Sequence, residues 1–339
     1  MAPYSFIRSL REQWAELPVA RADLGGKTLL VVGANVGLGH EASVRFAEMN
    51  PERLLVTCRD ASKCEQAKQG IEERSGSNAV SAWPLDLDSF DSVRAFVDRF
   101  ESEGGGKVDA LVANAGIASG TYAKTQDGWE KMLQVNYLST ALLSLLMLPH
   151  LINASTPDAA SRLVIVTSEA HFLVNEMKDA LQWSNILEKL NDEGYCTPQV
   201  MQERYNVSKL LQVIFVRELA ARLPTPTPVS ISTVHPGLCY SNIDRDLSGF
   251  LKYFLLCLKS ISGRSTEVGS RTLVHPAVAP DERSRHGRYL SSCEVAEDSD
   301  WVLSEEGRAV AKKIWAETME ILVKVDPRVD AILRKYLYA

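Results

Sequence analysis

Leu29-Leu30-Val31-Val32-Gly33-Ala34-Asn35-Val36-Gly37-Leu38-Gly39 is the stretch whose reading decides the fold. An apolar run ends in three spaced glycines, and a helix-like segment, His40 to Met49, follows. That order predicts strand, tight turn, helix. Gly33 supplies the turn, Gly37 removes a side chain where a phosphate would approach, and Gly39 allows the helix to pack closely on the strand. The helix start then offers bare N–H groups and a positive dipole end to an anion, through the backbone of Asn35, Val36 and Leu38 as well. The spacing is G-x-x-x-G-x-G rather than the commoner G-x-G-x-x-G, so the stretch also fits an ordinary glycine-rich turn.

Outward from this turn, strands and helices alternate. Strands are expected at 27–32, 53–58, 79–85, 108–113, 162–167 and 229–234, and the segment 289–290 reads as the last of the sheet. Helices are expected at 39–49, 62–74, 89–101, 129–151 and 205–223, with mostly helical structure over 301–336. The rhythm predicts an α/β fold: a Rossmann-type doubly wound parallel sheet in three α/β/α layers, as a single domain. Residues 1–26 form a helical extension, in which Phe6, Ile7, Leu10, Trp14 and Leu17 recur at helical spacing. Docking of this helix on the domain is favoured over a membrane-surface contact, because its polar face carries mixed charge.

The bulk properties narrow the partners. The 339 residues are 45% hydrophobic and 24% charged, with net charge −6, which suits a soluble globular protein and gives no basic face for nucleic acid. The six cysteines are scattered without a C-x-x-C pair, so a reduced cytoplasmic setting is expected and a metal site is not. No run reaches the length of a transmembrane segment; the greasiest, Leu142 to Ile152, is interrupted by Pro149 and His150.

The second strand bears on the cofactor. It ends in Cys58 and Arg59, with no carboxylate for an adenosine ribose 2′-OH and a guanidinium suited to a 2′-phosphate, so NADP(H) is favoured over NAD(H). Asp60 is read as a helix cap pointing away. Asp86, followed by Leu87, lies just past the third strand, where its carboxylate can accept from an adenine amino group. Asn114-Ala115-Gly116 follows the fourth strand; its small residues let the backbone lie against a flat cofactor, and Asn114 can tie two strand ends together. Ser168 ends the fifth strand, Asn136 sits in the long helix, and Tyr205 and Lys209 share a helix face.

This ordered set, with His235-Pro236-Gly237, resembles the short-chain dehydrogenase/reductase family over about residues 25–245. Cys58-Arg59-Asp60 and the long gap before Tyr205 are most similar to the retinol-dehydrogenase-like and WW-domain-oxidoreductase-like branch. The resemblance implies catalysis by Asn136, Ser168, Tyr205 and Lys209. Tyr205 would be the general acid/base, Lys209 would lower its pKa and hold the nicotinamide ribose, Ser168 would stabilise charge on the substrate oxygen, and Asn136 would anchor a relay water. Pro236, Gly237 and Leu238 would cup the nicotinamide, with Ser241 where the family usually has Thr. Two departures stand out: Val32 and Val36 replace the family's usual Thr and frequent Ser, and residues 169–204 form an insertion expected to pack over the pocket. His171 is read as a pocket-rim or surface residue and His235 as structural.

The apolar run at about 238–262 reads as a substrate lid or, equally, a buried helix. As a lid it implies a bulky apolar alcohol or ketone: a retinoid, a steroid, or a polyketide or terpenoid of secondary metabolism. The expected activity is NADP(H)-dependent carbonyl–alcohol interconversion. The alternatives are a catalytically impaired cofactor-binding regulator and an epimerase or dehydratase on the same fold. A homodimer and a monomer are equally compatible with the two chain ends.

Overall fold

Successive residues of each central strand go to opposite sides. In β1 (Thr28–Val32) Leu29 and Val31 join one apolar cluster while Leu30 and Val32 join another. β2 (Arg53–Cys58), β4 (Ala110–Ala113) and β5 (Ser161–Val166) divide in the same way. A strand with period two that is apolar on both faces must be covered on both, and the computed structural model, which describes residues 6–240, 259–260, 262–280 and 282–337, shows helices on each side.

The sheet has eight strands in the order β3-β2-β1-β4-β5-β6-β7-β8, with β3 at Val80–Pro84, β6 at Val229–His235, β7 at Arg288–Ser291 and β8 at Glu294–Ala296. β1 to β7 are parallel, and the chain reverses its direction of travel across the sheet between β1 and β4. Such a switch point opens a crevice at the carboxyl ends of the strands. α2 (Gly37–Ala47), α3 (Ala61–Ser75) and, later in the chain, α8 (Thr266–Val278) cover one face. α4 (Phe90–Glu103), α5 (Ser139–Ala154) and α7 (Pro198–Ala220) cover the other. α9 (Glu305–Val325) lies over α7, where Trp315 stacks on Phe215 at 5.9 Å, and α10 (Arg328–Tyr336) packs on α5. The three-layer parallel fold expected from the sequence is the one observed.

Three elements differ from the expectation. The last strand is β8, antiparallel to β7. Its two-residue turn, Ser292-Cys293, has positive φ at both residues, at 50° and 69°, a geometry usually signalled by Asn-Gly or Asp-Gly. α7 begins at Pro198, not Tyr205: Thr197 accepts from the Val200 N–H and Pro198 occupies the first turn. The long central helix starts with a π-helical stretch, Leu133–Leu138, whose first N–H groups at Met132 and Leu133 donate to the buried Glu130 carboxylate. The span Leu133–Ala154 is long and apolar enough to cross a membrane, but 89% of its apolar window is buried inside the fold; it is apolar all round because protein surrounds it.

The insertion divides in two. Ile186, Leu187 and Leu190 of α6 (Ile186–Asn191) are fully buried in the core, and the Glu317 carboxylate of α9 accepts the Ile186 and Leu187 N–H groups at 2.9 Å. Its two ends, by contrast, reach the crevice described next.

Candidate active site

The glycine turn is set by steric limits. Gly33 has φ +81°, and a Cβ there would lie 2.8 Å from the Ala115 Cβ; only glycine lets the β1 and β4 loops pass so closely. Gly37 has φ +70° and open space where a side chain would stand. A Cβ on Gly39 would strike the Gly33 carbonyl oxygen and the Asn114 amide, so Gly39 faces the turn and not the cavity. The Asn114 Nδ2 donates to the Gly33 carbonyl at 2.8 Å and lies 3.4 Å from that of Val32, tying the ends of β1 and β4. α2 starts at Val36, whose side chain makes no capping hydrogen bond. The first N–H groups of the helix are thereby left for a ligand.

A cavity of about 1150 Å³ follows the carboxyl ends of the strands. Among its walls are Gly33, Asn35, Val36, Gly37 and Leu38 from the turn, Arg59 after β2, and Asp86 and Leu87 after β3. Asn114, Ala115, Gly116, Ser168, Tyr205, Lys209, Pro236, Gly237 and Leu238 complete the set of sequence-nominated residues that line it. Arg59 is exposed at the wall. Asp60 caps α3 as expected, its carboxylate accepting from the Lys63 N–H at 2.9 Å and the Ser62 hydroxyl at 2.7 Å, but it does not point away: it lines the cavity beside Arg59. Lys63 also lines the cavity and was not foreseen; its signal was its place in the first turn of the helix that Asp60 caps. The Asp86 carboxylate is oriented by the Asp88 N–H at 3.0 Å.

The reacting end is built by β5 and α7. Ser168 stands two residues past the end of β5, and its Oγ also accepts from the Ala170 N–H at 3.2 Å. Tyr205 is half-buried; burial pushes its phenol up to about 12, and a hydrogen bond with Ser168 works in the other direction. Lys209 is fully buried, which lowers its ammonium to about 7. Its Nζ donates to the Val166 carbonyl at 2.9 Å and to the Gln212 side-chain oxygen at 3.2 Å, and stands 5.6 Å from the centre of the Tyr205 ring. An ammonium has three donors, so one remains for the cavity. Gln212 was missed, although a single amide in the run Leu210-Leu211-Gln212-Val213-Ile214 was its signal.

Two further expectations need correction. Asn136 does not line the cavity. It is fully buried behind Gly116, its Nδ2 donates to the Ile117 carbonyl and the Ser208 hydroxyl, each at 2.9 Å, and its Oδ1 accepts the Ile117 N–H. Its main-chain carbonyl accepts from the Gln212 Nε2 at 2.7 Å. His171 is neither at the rim nor at the surface. It is 1% exposed, packed against Phe172 and Tyr289. His235 lines the cavity, and its Nδ1 accepts the Glu169 N–H at 3.1 Å. Ser241 and nearly all of the proposed lid lie outside the described residues.

Comparison with characterised sequences fits this geometry. Residues 27–179 match the family model described as short chain dehydrogenase. A short chain dehydrogenase/reductase of Cryptosporiopsis sp. is 34% identical over 323 residues, covering 93% of this chain and 96% of that protein. A short chain dehydrogenase of Alternaria solani is 39% identical over 288 residues, covering 84% and 95%.

The chain belongs to the short-chain dehydrogenase/reductase family.

Solved structures share the fold. A protein from Mycobacterium paratuberculosis superposes with a TM-score of 0.63 at 24% identity, covering 91% of this chain and 96% of that one. The Pseudomonas aeruginosa RhlG/NADP active-site complex gives 0.60 at 22% identity, covering 79% and 95%. Short-chain dehydrogenases/reductases bind a nicotinamide cofactor, and the residues here fit one. The open side of Gly37 and the uncapped start of α2 suit a diphosphate, and Ala115 and Gly116 present a flat wall. Arg59 and Ser168 stand after β2 and β5, three strand spacings apart, or roughly 14 Å, a span that suits an extended dinucleotide.

Proposed function

We propose that this protein is an NADP(H)-dependent oxidoreductase that interconverts a carbonyl and an alcohol on a bulky apolar small molecule. The observation that carries the proposal is the meeting of Tyr205, Ser168 and Lys209 in one cavity whose β2 side carries Arg59 and Lys63.

The residue roles follow from this arrangement. In reduction Tyr205 gives its phenolic proton to the substrate oxygen, and in oxidation it takes the proton back. Ser168 donates a hydrogen bond to the same oxygen, where negative charge develops. Lys209 is fixed by Val166 and Gln212 and turns its remaining donor toward the cavity. There it holds a ribose hydroxyl and stabilises the phenolate. Asn136 is a positioning residue: it locks the loop at Ile117 and, through Gln212, the rotamer of Lys209. The bound nicotinamide supplies or accepts the hydride. Ile117, Leu173, Pro198 and Met201 line the substrate side, and their apolar surface favours a ketone or alcohol with a hydrocarbon body, of retinoid, steroid, polyketide or terpenoid size.

Arg59 and Lys63 place two cations where a ribose 2′-phosphate would stand. Fluorescence titration of the purified protein with NADPH and NADH tests the cofactor assignment. The wild type is expected to prefer NADPH, and Arg59→Ala to lose about tenfold of that preference, the worth of one charge-assisted hydrogen bond. Equal affinity for the two nucleotides in the wild type would remove the assignment. Val36 supports the second reading, a cofactor-binding regulator with weakened turnover, because it brings no hydroxyl to a phosphate at the start of α2; nucleotide bound at micromolar concentration but not consumed with any apolar ketone would favour it.

A further inference from the structure

The amphipathic spacing of the N-terminal segment suggested an apolar docking face. The structure buries Leu17 of that set and adds polar contacts from α1 (Phe6–Gln13). α1 is followed by Trp14, which is 65% exposed. Among the described side chains of α1, three polar ones about one turn apart reach the body of the fold: Ser9, Glu12 and Gln13. The Ser9 hydroxyl donates to the Glu169 carboxylate at 2.8 Å, one residue after Ser168. The Glu12 carboxylate accepts from the Ser291 hydroxyl at 2.6 Å. The Gln13 amide reads the backbone of the loop after β6 on both edges: its Oε1 accepts the Leu238 N–H at 2.9 Å, and its Nε2 donates to the Leu238 carbonyl at 2.8 Å and to the Ser262 carbonyl at 2.6 Å.

Two further groups close the joint. Arg264, 7% exposed, donates to the Pro236 carbonyl, the Gln13 carbonyl and the Ser292 hydroxyl, each at 3.1 Å, and to the Glu12 carbonyl. Gly237 has φ +81°, and a Cβ there would come within 2.6 Å of the Gln13 Oε1. The glycine is therefore required by the Gln13 amide as well as by the turn.

We infer that α1 is part of the active site's framework, with Gln13 as a positioning residue that sets the Pro236–Leu238 segment against the nicotinamide end of the cavity. The inference rests on the cofactor assignment proposed above for that segment. Its physical basis is that the Leu238 N–H has the Gln13 Oε1 as its partner, while the Leu238 carbonyl accepts the Arg264 N–H at 2.8 Å as well as the Gln13 Nε2; an amide bonded to both edges of Leu238 fixes the loop's height over the cavity. The effect is local. The hydrogen bonds of the Gln13 side chain run to Leu238 and Ser262 and not to the Arg59 side or the glycine turn, so a defect there should spare the adenosine half of the cofactor.

The test compares wild type, Gln13→Ala and Gln13→Glu, the last keeping the acceptor and losing both donors. NADPH and 2′,5′-ADP are titrated against each, and amide hydrogen exchange is followed in the peptide containing residues 236–240. Both variants are expected to bind NADPH about fivefold more weakly, in the range of one lost hydrogen bond. They should bind 2′,5′-ADP as the wild type does, exchange faster at Leu238 and keep the wild-type exchange in β6. Unchanged exchange at Leu238 would overturn the inference, and so would an equal loss of affinity for both nucleotides, which marks general destabilisation. If exchange rises in the variants while wild type binds NADPH no more tightly than 2′,5′-ADP, the joint stands and the placement of the nicotinamide at this loop fails.

Discussion

At the scale of single residues, His171 shows how a side chain outside the chemistry supports it. Its Nδ1 donates to the Ser168 carbonyl at 2.8 Å, while its Nε2 is buried without a hydrogen-bond partner. Protonation would place a second N–H in that unpartnered position, and burial lowers the imidazole to about 4 from its ordinary 6.5. The unfolded chain therefore takes up a proton below pH 6.5 that the folded chain refuses until about pH 4, and this part of the stability is lost as pH falls through that window. His171→Gln, which retains a donor for the Ser168 carbonyl, is expected to show a shallower fall of Tm with acid than wild type. Thermal melts across that range check it, and parallel slopes would contradict it. The local run Ser168-Glu169-Ala170-His171 has no apolar period to announce this burial. It comes from Tyr289, which is distant in sequence and meets the ring edge to face at 4.8 Å. Gly33, Asn114, Tyr205 and Lys209 were legible because each is tied to its neighbours by short spacing or by a strand end. Gln13 was not, because its partners lie across the fold.

At the scale of elements, helix starts separate what local sequence specifies from what it leaves open. Asp60, Ser89, Thr197, Ser265 and Ser304 each accept a hydrogen bond from the first turn of the helix they precede. α2 is different: Val36 has the extended backbone of a cap, φ −151°, and no acceptor. Val36→Ser supplies the acceptor and is expected to stabilise the folded chain by about 0.5–2 kcal/mol, read as a rise in Tm in the absence of nucleotide. An unchanged or lower Tm would mean that the helix start is already satisfied. The same logic explains where the sequence reading placed elements well and where it did not. β2 was expected at the residues observed, because an apolar run there is bounded by Glu52 and Arg59. The start of α7 was set too late because Tyr205 drew attention from the stronger signal, Thr197-Pro198. β8 was missed because Ser292-Cys293 adopts a hairpin turn without the residues that usually favour positive φ.

At the scale of the whole molecule, the sheet order does the assembling. β2, β1, β4 and β5 lie side by side, so Arg59, the glycine turn, Asn114 and Ser168 fall along one edge although they span more than a hundred residues of chain. α7 then brings Tyr205 and Lys209 over the end of β5. That convergence was legible from the order of the motifs. The way the chain ends brace it was not: α1 holds the Pro236–Leu238 segment, and α9 holds the middle of the 169–204 insertion through Glu317. These are contacts between polar groups far apart in sequence, which neither periodicity nor spacing records. The central claim is that this assembly moves a hydride and a proton together, with Tyr205 as the proton's source. The most direct test mixes NADPH with bulky apolar ketones and measures nucleotide absorbance against alcohol formed, for wild type and Tyr205→Phe at matched nucleotide occupancy. The account predicts one NADPH consumed per alcohol in the wild type and a rate at least about a hundredfold lower in the variant, the usual worth of a general acid, with NADPH affinity retained. Product formed without loss of NADPH, or a variant as fast as wild type, would contradict it.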